Sequence, residues 1–221
     1  MPFRLIQPEL LDTLPCDHPA ALENRRDLRL INFLMGNHRW LARLLRAQVR
    51  PAERILELGA GTGELALRLQ RRGWRVDGLD LWPAPGAWPA SARWIRADLR
   101  SFAGYGAYDI ICGNLIFHQF AAGDLGRLGA QLLARARLLF ACEPARHQKS
   151  QQLVRLLSPL LGFNPVTRHD SRVSIEAGFL DDELPRQLGL DPGRWGWRCT
   201  TTSLGAYRMI AWRRAAPPSP P

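Results

Sequence analysis

The stretch "LELGAGTGEL", residues 56–65, places three glycines within five positions and decides the fold. The apolar run from Arg54 to Leu58 predicts a short buried strand just before the glycines. The residues from Glu64 to Arg72 predict a helix, which Gly73 ends. Glycine lacks a Cβ atom, so a turn of this composition brings the backbone close to a ligand. A strand, a glycine turn and a helix in this order therefore indicate a cofactor site.

Strands and helices continue to alternate after this turn. Further strands are predicted at 74–80, 92–98, 108–114 and 137–144, with helices at 124–134 and 149–161. This alternation predicts an α/β fold, Rossmann-like, whose mostly parallel sheet has helices on both faces. The runs "WRCTTTS" (197–203) and "YRMIAWRR" (207–214) predict an antiparallel C-terminal strand hairpin.

The chain divides into three parts. Apolar residues at helical spacing predict helices from Leu22 to Leu34 and from His38 to Val49, with a break at Gly36. Residues 1–53 thus form an N-terminal helical extension, and residues 54–214 form the core. The ending "AAPPSPP", residues 215–221, predicts a disordered tail.

Polar residues and glycines stand where the predicted strands end. In open parallel sheets, ligands bind beyond the carboxyl ends of the strands, and Asp80, Asp98 and Asn114 fall there together with the glycines. The spacing is GxGxG, and Glu64 occupies the position of the third glycine in a nicotinamide-binding GxGxxG fingerprint. The lysine of a phosphate-binding P-loop is also missing. The turn therefore favours a ligand without bridging phosphates, and a nicotinamide oxidoreductase is a distant alternative.

The segment "ILELGAGTGELA" resembles motif I of the class I S-adenosylmethionine-dependent methyltransferases, small-molecule type. That motif is an acidic residue, one apolar residue and GxGxG, and the family carries further acids after strands two and three. The resemblance implies that Glu57 orients the amino-acid end of S-adenosylmethionine and that Asp80 accepts both ribose hydroxyls. It implies that Asp98 accepts from the adenine amine and that the Leu99 N–H donates to the ring. The cofactor-binding residues expected on this basis are Glu57, Gly59, Ala60, Gly61, Gly63, Asp80, Leu81, Asp98, Leu99 and Asn114.

Asp98 and Trp82 also have structural interpretations that involve no cofactor. Asp98 is also a suitable turn or helix-cap residue. Leu81 and Trp82 are placed to flank the adenine, but a tryptophan there equally serves to cover the core. The N-terminal helices often form a lid over the cofactor in this family, with Asn37 and Trp40 placed to touch it, or they simply pack on the core.

The segment after the fourth strand bears on the methyl acceptor. Family members that methylate exocyclic amines often carry [DNS]PP[FYW] there, whereas "NLIFHQF" (114–120) keeps Asn114 and Phe117 and lacks both prolines. The segment is closer to the "LHHF" type of small-molecule members. We therefore expect a small-molecule acceptor, with methylation at oxygen or carbon favoured over nitrogen.

Two histidines are candidate catalytic residues. His118 follows the fourth strand at the site edge and is the better candidate for a base, or else a structural histidine. His169 lies in "VTRHDSRVSIEAGF" (166–179), where the alternating Val173, Ile175, Ala177 and Phe179 are typical of a strand. The family often inserts substrate-binding elements there, so residues 163–196 are expected to be such an insertion. His169 then lines a substrate wall or stands on a surface turn, and Glu143 faces the site or pairs with an arginine.

Composition narrows the class of protein. The formal charge is +10, which invites a nucleic-acid substrate, but the basic residues are spread over the chain and Lys149 is the only lysine among 30. An RNA or other nucleic-acid methyltransferase, or a non-catalytic cofactor-binding partner protein, remain the alternatives. Cys16, Cys112, Cys142 and Cys199 form no CxxC pair, so no metal site is expected and the middle two are expected to be buried thiols. The chain carries no long apolar run, which predicts a cytoplasmic protein without a membrane span.

Overall fold

The computed structural model describes residue 1 and residues 3–214. Its strands form one sheet of order β3-β2-β1-β4-β5-β7-β6. The first five strands are parallel, and the antiparallel β7 lies between β5 and β6. The predicted Rossmann-like fold and the C-terminal hairpin are both confirmed. The strands are β1 Arg54–Leu58, β2 Arg75–Asp80, β3 Trp94–Arg96, β4 Ile110–Asn114, β5 Leu138–Pro144, β6 Trp195–Thr201 and β7 Ala206–Arg213.

The helices cover both faces of this sheet and its carboxyl end. Gly36, with φ of 67°, separates the two N-terminal helices because this left-handed conformation suits glycine. Short 3₁₀ turns occur at Leu11–Thr13, Gly104–Ala107 and Phe117–Gln119. The α-helices are α1 Pro19–Met35, α2 Asn37–Gln48, α3 Glu64–Gln70, α4 Ala122–Leu132, α5 Gln148–Leu160, α6 Pro165–Ala177 and α7 Glu183–Gln187.

Neighbouring apolar residues on the central strands serve opposite faces. Ile110 packs in the core shared with α2 and α3, whereas Ile111 packs in the core shared with α4 and α7. Because both faces are covered, the strands read as continuous apolar runs rather than as alternating ones. Cys112 and Cys142 are fully buried on the first of these faces, as the sequence predicts.

The segment 165–177 is a helix, so the strand expected from its alternating apolar residues is wrong. Asn164 caps α6, since its side chain accepts from the Thr167 N–H at 2.7 Å, and Pro165 takes the first helical position. Asp27 of α1 accepts from the Asn164 N–H at 3.0 Å and from the Thr167 hydroxyl at 2.8 Å. These long-range bonds anchor the start of α6 against α1, and local alternation is overridden.

Residues 3–18, which we call the N-terminal segment, run across the carboxyl end of the sheet against α6. The two carboxylate oxygens of Asp170 accept from the Leu10 N–H at 2.8 Å and the Leu11 N–H at 3.0 Å. Arg4 donates to the carbonyls of His118 and Ala177, so the segment is held near its start and in its middle. Within the described residues no helix is long and apolar enough to cross a membrane. The tail predicted at 215–221 lies outside the described residues.

Candidate active site

A cleft of about 570 Å³ opens beyond the carboxyl ends of β1, β2 and β4. Strand order reverses between β1 and β4, and such a switch point is where ligands of open α/β sheets bind. The glycine turn and the strand ends form its floor, and α1, α6 and the N-terminal segment form its walls. The sequence therefore predicts the floor, while the walls come from distant parts of the chain.

The glycine turn has the conformation that its sequence requires. Gly59, Gly61 and Gly63 have φ values of 59°, 54° and 71°, which residues with a Cβ atom rarely adopt. A Cβ on Gly59 would lie 2.7 Å from the Ile116 side chain, and one on Gly63 would lie 2.9 Å from the Trp88 ring. The turn thus needs glycine for its backbone angles and for the close approach of two side chains.

Glu57 stands at the bottom of the cleft, where it is buried. One carboxylate oxygen accepts from the Ala66 N–H, in the first turn of α3, at 2.9 Å. Burial raises the pKa of this carboxyl to about 8, and the hydrogen bond from Ala66 offsets only part of that rise. A cationic group placed against Glu57 would restore the charged form.

Asp80 ends β2 and faces the glycine turn. Its Oδ2 accepts from the Gly61 N–H at 2.7 Å, and its Oδ1 accepts from the Trp82 N–H at 2.9 Å. A carboxylate has about four acceptor positions, so two stay available toward the cleft. Leu81 and Trp82 also line the cleft, and the Arg25 guanidinium stacks over the Trp82 ring at 4.0 Å.

Asp98 and Leu99 lie at the edge of the cleft after β3. The Asp98 carboxylate pairs with the Arg100 guanidinium at 2.5 Å and accepts from the Arg100 N–H at 2.8 Å, and this pairing lowers its pKa. The turn role that the sequence leaves open for Asp98 is thus present in the structure. The Leu99 N–H has no hydrogen-bond partner among the described residues.

Asn114 ends β4 and carries an unused acceptor. Its Nδ2 donates to Asn32 Oδ1 of α1 at 2.9 Å, while its buried Oδ1 has no partner among the described residues. Leu115, the next residue, has φ of 59°, an unfavourable conformation for a residue with a side chain. A buried acceptor without a donor, together with local strain at the same strand end, is typical of a ligand-binding position.

His118 is buried between two carboxylates. Its Nδ1 lies 2.6 Å from Glu143 Oε2, and its Nε2 lies 3.1 Å from Glu9 Oε1. Burial alone would lower its pKa, but these two hydrogen bonds and charges raise the pKa to about 10. His118 is therefore a protonated imidazole at neutral pH, and it links β5 to the N-terminal segment.

Among the described residues, Glu143 pairs with no arginine; it is fully buried and does not line the cleft. In addition to the bond with His118, it accepts from the N–H groups of Ile116, Phe117 and His118 at 3.0, 2.9 and 3.2 Å. A carboxylate with this many donors holds the turn at Phe117–Gln119 in one position.

Three residues that were expected near the ligand do not line the cleft, namely His169, Asn37 and Trp40. His169 is half-buried and lies 3.0 Å from its neighbour Asp170, on the side of α6 that does not line the cleft. Asn37 bonds weakly to Asn32, and Trp40 packs on the core beneath α2 with Arg208 over its ring. Neither Asn37 nor Trp40 lines the cleft, so the cofactor contact suggested for them is not seen.

The wall formed by α6 is the part that sequence reasoning missed. Its cleft-lining residues are spaced as one helical face, and the Asn-Pro pair before them is a helix-start signal that was present in the sequence. Opposite this face lie Glu9 and Asp12 of the N-terminal segment. The cleft-lining residues of α6 are Thr167, Asp170, Ser171, Ser174 and Ile175.

The cleft is acidic although the chain is basic. Aspartate and glutamate outnumber arginine in its lining by eight to three. None of the five arginines between residues 127 and 155 lines the cleft. Arg127 pairs with Asp124, Arg137 with Glu53, and Arg146 is buried against Glu183.

Comparison with known proteins identifies the fold. No protein-family model matches the chain, and no curated protein matches it by sequence. Among solved structures, the plantazolicin methyltransferase BpumL in complex with SAH is 12% identical, covers 93% of each chain and has a TM-score of 0.73. The magnesium protoporphyrin IX methyltransferase ChlM from Synechocystis PCC 6803 with bound SAH is 17% identical, covers 86% of each chain and has a TM-score of 0.53. A structure from echinomycin biosynthesis, concerning conversion of a disulfide bond into a thioacetal group, is 18% identical with 79% and 81% coverage and a TM-score of 0.55.

These similarities agree with the topology and with the glycine turn. The chain has the fold of the class I S-adenosylmethionine-dependent methyltransferases.

Proposed function

We propose that the chain is an S-adenosylmethionine-dependent methyltransferase that acts on a small-molecule acceptor. The observation that carries this proposal is the convergence, in one cleft, of the left-handed glycine turn with Glu57 and Asp80 at the ends of β1 and β2. BpumL and ChlM, two of the solved structures of similar fold, are complexes with SAH, the demethylated product of this cofactor.

The donors and acceptors in the cleft fit this cofactor. Glu57, desolvated and carrying one free oxygen, suits the cationic amine of its amino-acid end. Asp80 has acceptor positions left for the ribose hydroxyls, and the free Leu99 N–H suits an adenine nitrogen. The partnerless Oδ1 of Asn114 needs a donor from a ligand, because a buried polar atom without one is costly. Asp98 accepts from the adenine amine once its side-chain pair with Arg100 opens, because Arg100 donates to both carboxylate oxygens.

When bound, the cofactor supplies a methyl group on a positively charged sulfur, and the protein supplies position and exclusion of water. The N-terminal segment, α1 and α6 line the walls of the cleft and reduce the access of water to it. We propose that residues 1–53 act as the lid and that α6, in the region 163–196, forms the acceptor wall.

His118 has a positioning role in this proposal. Since its two ring nitrogens are both engaged by carboxylates, it has no free nitrogen with which to take a proton from an acceptor. It fixes the turn after β4 relative to the N-terminal segment. Methyl transfer to oxygen or carbon then relies on the orientation of the acceptor and on desolvation. His169 lies outside the cleft and takes no part.

The acidic lining also argues against a nucleic-acid substrate, because carboxylates repel backbone phosphates. A small-molecule acceptor is therefore favoured over a nucleic-acid substrate.

The test is calorimetric titration with SAH and, separately, with NADH. We expect saturable binding of SAH and none of NADH. Asp80→Asn should weaken SAH binding by about 10–100-fold, since charge-assisted hydrogen bonds contribute roughly 1.5–3 kcal/mol. Asp191→Asn, in an exposed loop outside the cleft lining, is the matched control and should bind like the wild type. Binding of NADH with no response to SAH would overturn the proposal.

A further inference from the structure

The end of the cleft lined by the N-terminal segment and α6 is negatively charged. Burial raises the pKa of Asp12 to about 6, the charges of Glu9, Asp170 and Asp80 add to this rise, and the charge of His118 offsets part of it. Glu9 is bonded to His118 and Ser174, and Asp170 is bonded to the backbone of residues 10 and 11. The Asp12 carboxylate has no hydrogen-bond partner among the described residues. Asp12 is thus the acceptor that the fold leaves unused at this end.

A second group points to the same kind of ligand. Asn24 of α1 lines the cleft and is only 1% exposed. Its Nδ2 donates to the Thr167 hydroxyl at 3.2 Å, and its buried Oδ1 has no partner among the described residues. Thr167 lies one helical turn before Asp170 on α6, so Asn24 borders the acidic end. A buried amide oxygen without a donor is costly, and a ligand N–H would satisfy it.

The arginines that line the cleft lie near the strand ends that we assign to the cofactor. Arg29 lies 3.5 Å from Glu64, and Arg100 pairs with Asp98. The Arg25 guanidinium stacks on Trp82, and its buried Nε has no hydrogen-bond partner among the described residues. Burial and the nearby Arg68 lower the pKa of His38 to about 4, which keeps it neutral. His118 is the one cation near Asp12 in the cleft lining, and it already lies between two carboxylates.

The walls beside this acidic end are apolar. Leu11 of the N-terminal segment, Leu28 and Ile31 of α1, and Leu153 and Val154 of α5 line the same cleft and are partly exposed. They suit an apolar or aromatic body rather than a second polar group.

We propose that the methyl acceptor carries a cationic nitrogen group, an ammonium or a guanidinium, bound by Asp12 and Asn24, next to an apolar body. This inference rests on the proposed function, because it takes the rest of the cleft as the cofactor site. It concerns recognition of the acceptor, and it leaves the methylated atom unassigned.

The experiment compares three small probes of one skeleton with the protein saturated by SAH. Phenethylamine carries the cation, phenethyl alcohol is neutral, and hydrocinnamate carries an anion. Calorimetric or NMR titration should give the tightest binding for phenethylamine, and phenethylguanidine tests the guanidinium arm. Asp12→Asn should weaken phenethylamine binding by about 5–20-fold and leave phenethyl alcohol unchanged, because only the charged pair is lost.

Asp17→Asn is the matched control, since Asp17 is exposed on the same segment and does not line the cleft. It should bind all probes like the wild type. Equal or tighter binding of hydrocinnamate, or the same loss in Asp12→Asn and Asp17→Asn, would overturn the inference. The proposed function fails separately, because SAH itself would then not bind.

Discussion

Replacing His118 by glutamine should cost much of the stability of the fold. The imidazolium lies between Glu143 and Glu9, and the substitution leaves both carboxylates without their counter-ion. A pKa raised from 6.5 to about 10 corresponds to roughly 5 kcal/mol in favour of the protonated folded state, at about 1.4 kcal/mol per pKa unit. Removing one partner from a buried ion pair typically costs about 3–5 kcal/mol. We expect His118→Gln to lower the free energy of unfolding by roughly 3–5 kcal/mol.

The stabilisation that His118 provides should decrease as the pH rises. The folded protein holds the His118 proton between pH 6.5 and about 10, whereas the unfolded chain has released it. The stabilisation is therefore complete below pH 6.5 and is lost as the pH rises toward 10. The difference between wild type and His118→Gln should be largest near pH 6 and smaller near pH 9.5.

Urea denaturation followed by circular dichroism at these two pH values measures the difference. His169→Gln is the control, because His169 is half-buried and bonded only to its neighbour Asp170. It should change stability little at either pH. A His118→Gln variant as stable as the wild type at pH 6, or a difference that grows with pH, would refute the buried imidazolium.

Two further variants test the floor and the wall of the cleft. Glu57→Gln should abolish most SAH binding yet stabilise the free protein at pH 8 by roughly 2–4 kcal/mol. The reason is that the folded carboxyl keeps its proton between pH 4.5 and about 8 while the unfolded one releases it, so wild-type stability falls across that window. Thermal melts of wild type and Glu57→Gln at pH 5 and pH 8 check this, and a stability difference between the two proteins that is the same at both pH values would contradict it. Asp170→Asn removes an acceptor from the Leu10 or Leu11 N–H, so thermolysin should cleave the N-terminal segment about 5–50-fold faster. An unchanged cleavage rate would show that the hydrogen bonds of Asp170 do not hold the N-terminal segment in place.

The floor of the site was readable from the sequence because local rules govern it. Gly59, Gly61 and Gly63 follow a buried strand, and backbone angles that only glycine adopts readily follow from that spacing. Asp80 lies near these glycines because parallel strands align their carboxyl ends at one edge of a sheet. The fold class and the cofactor end of the cleft are consequences of such short-range patterns, whereas the strand order comes from the structure.

Contacts between residues far apart in the chain shape the acidic end of the cleft, which we assign to the acceptor. The position of α6 depends on Asp27 of α1, which lies about 140 positions earlier and accepts from Asn164 and Thr167 at the start of α6. The pKa of His118 depends on Glu9, 109 positions away, and a sequence pattern carries no information about that pairing. The sequence by itself determined the turn that holds the cofactor. Only the tertiary structure decided that His118 is a buried cation and that Asp12 lines the cleft, because charge and burial at a site are set by everything packed around it.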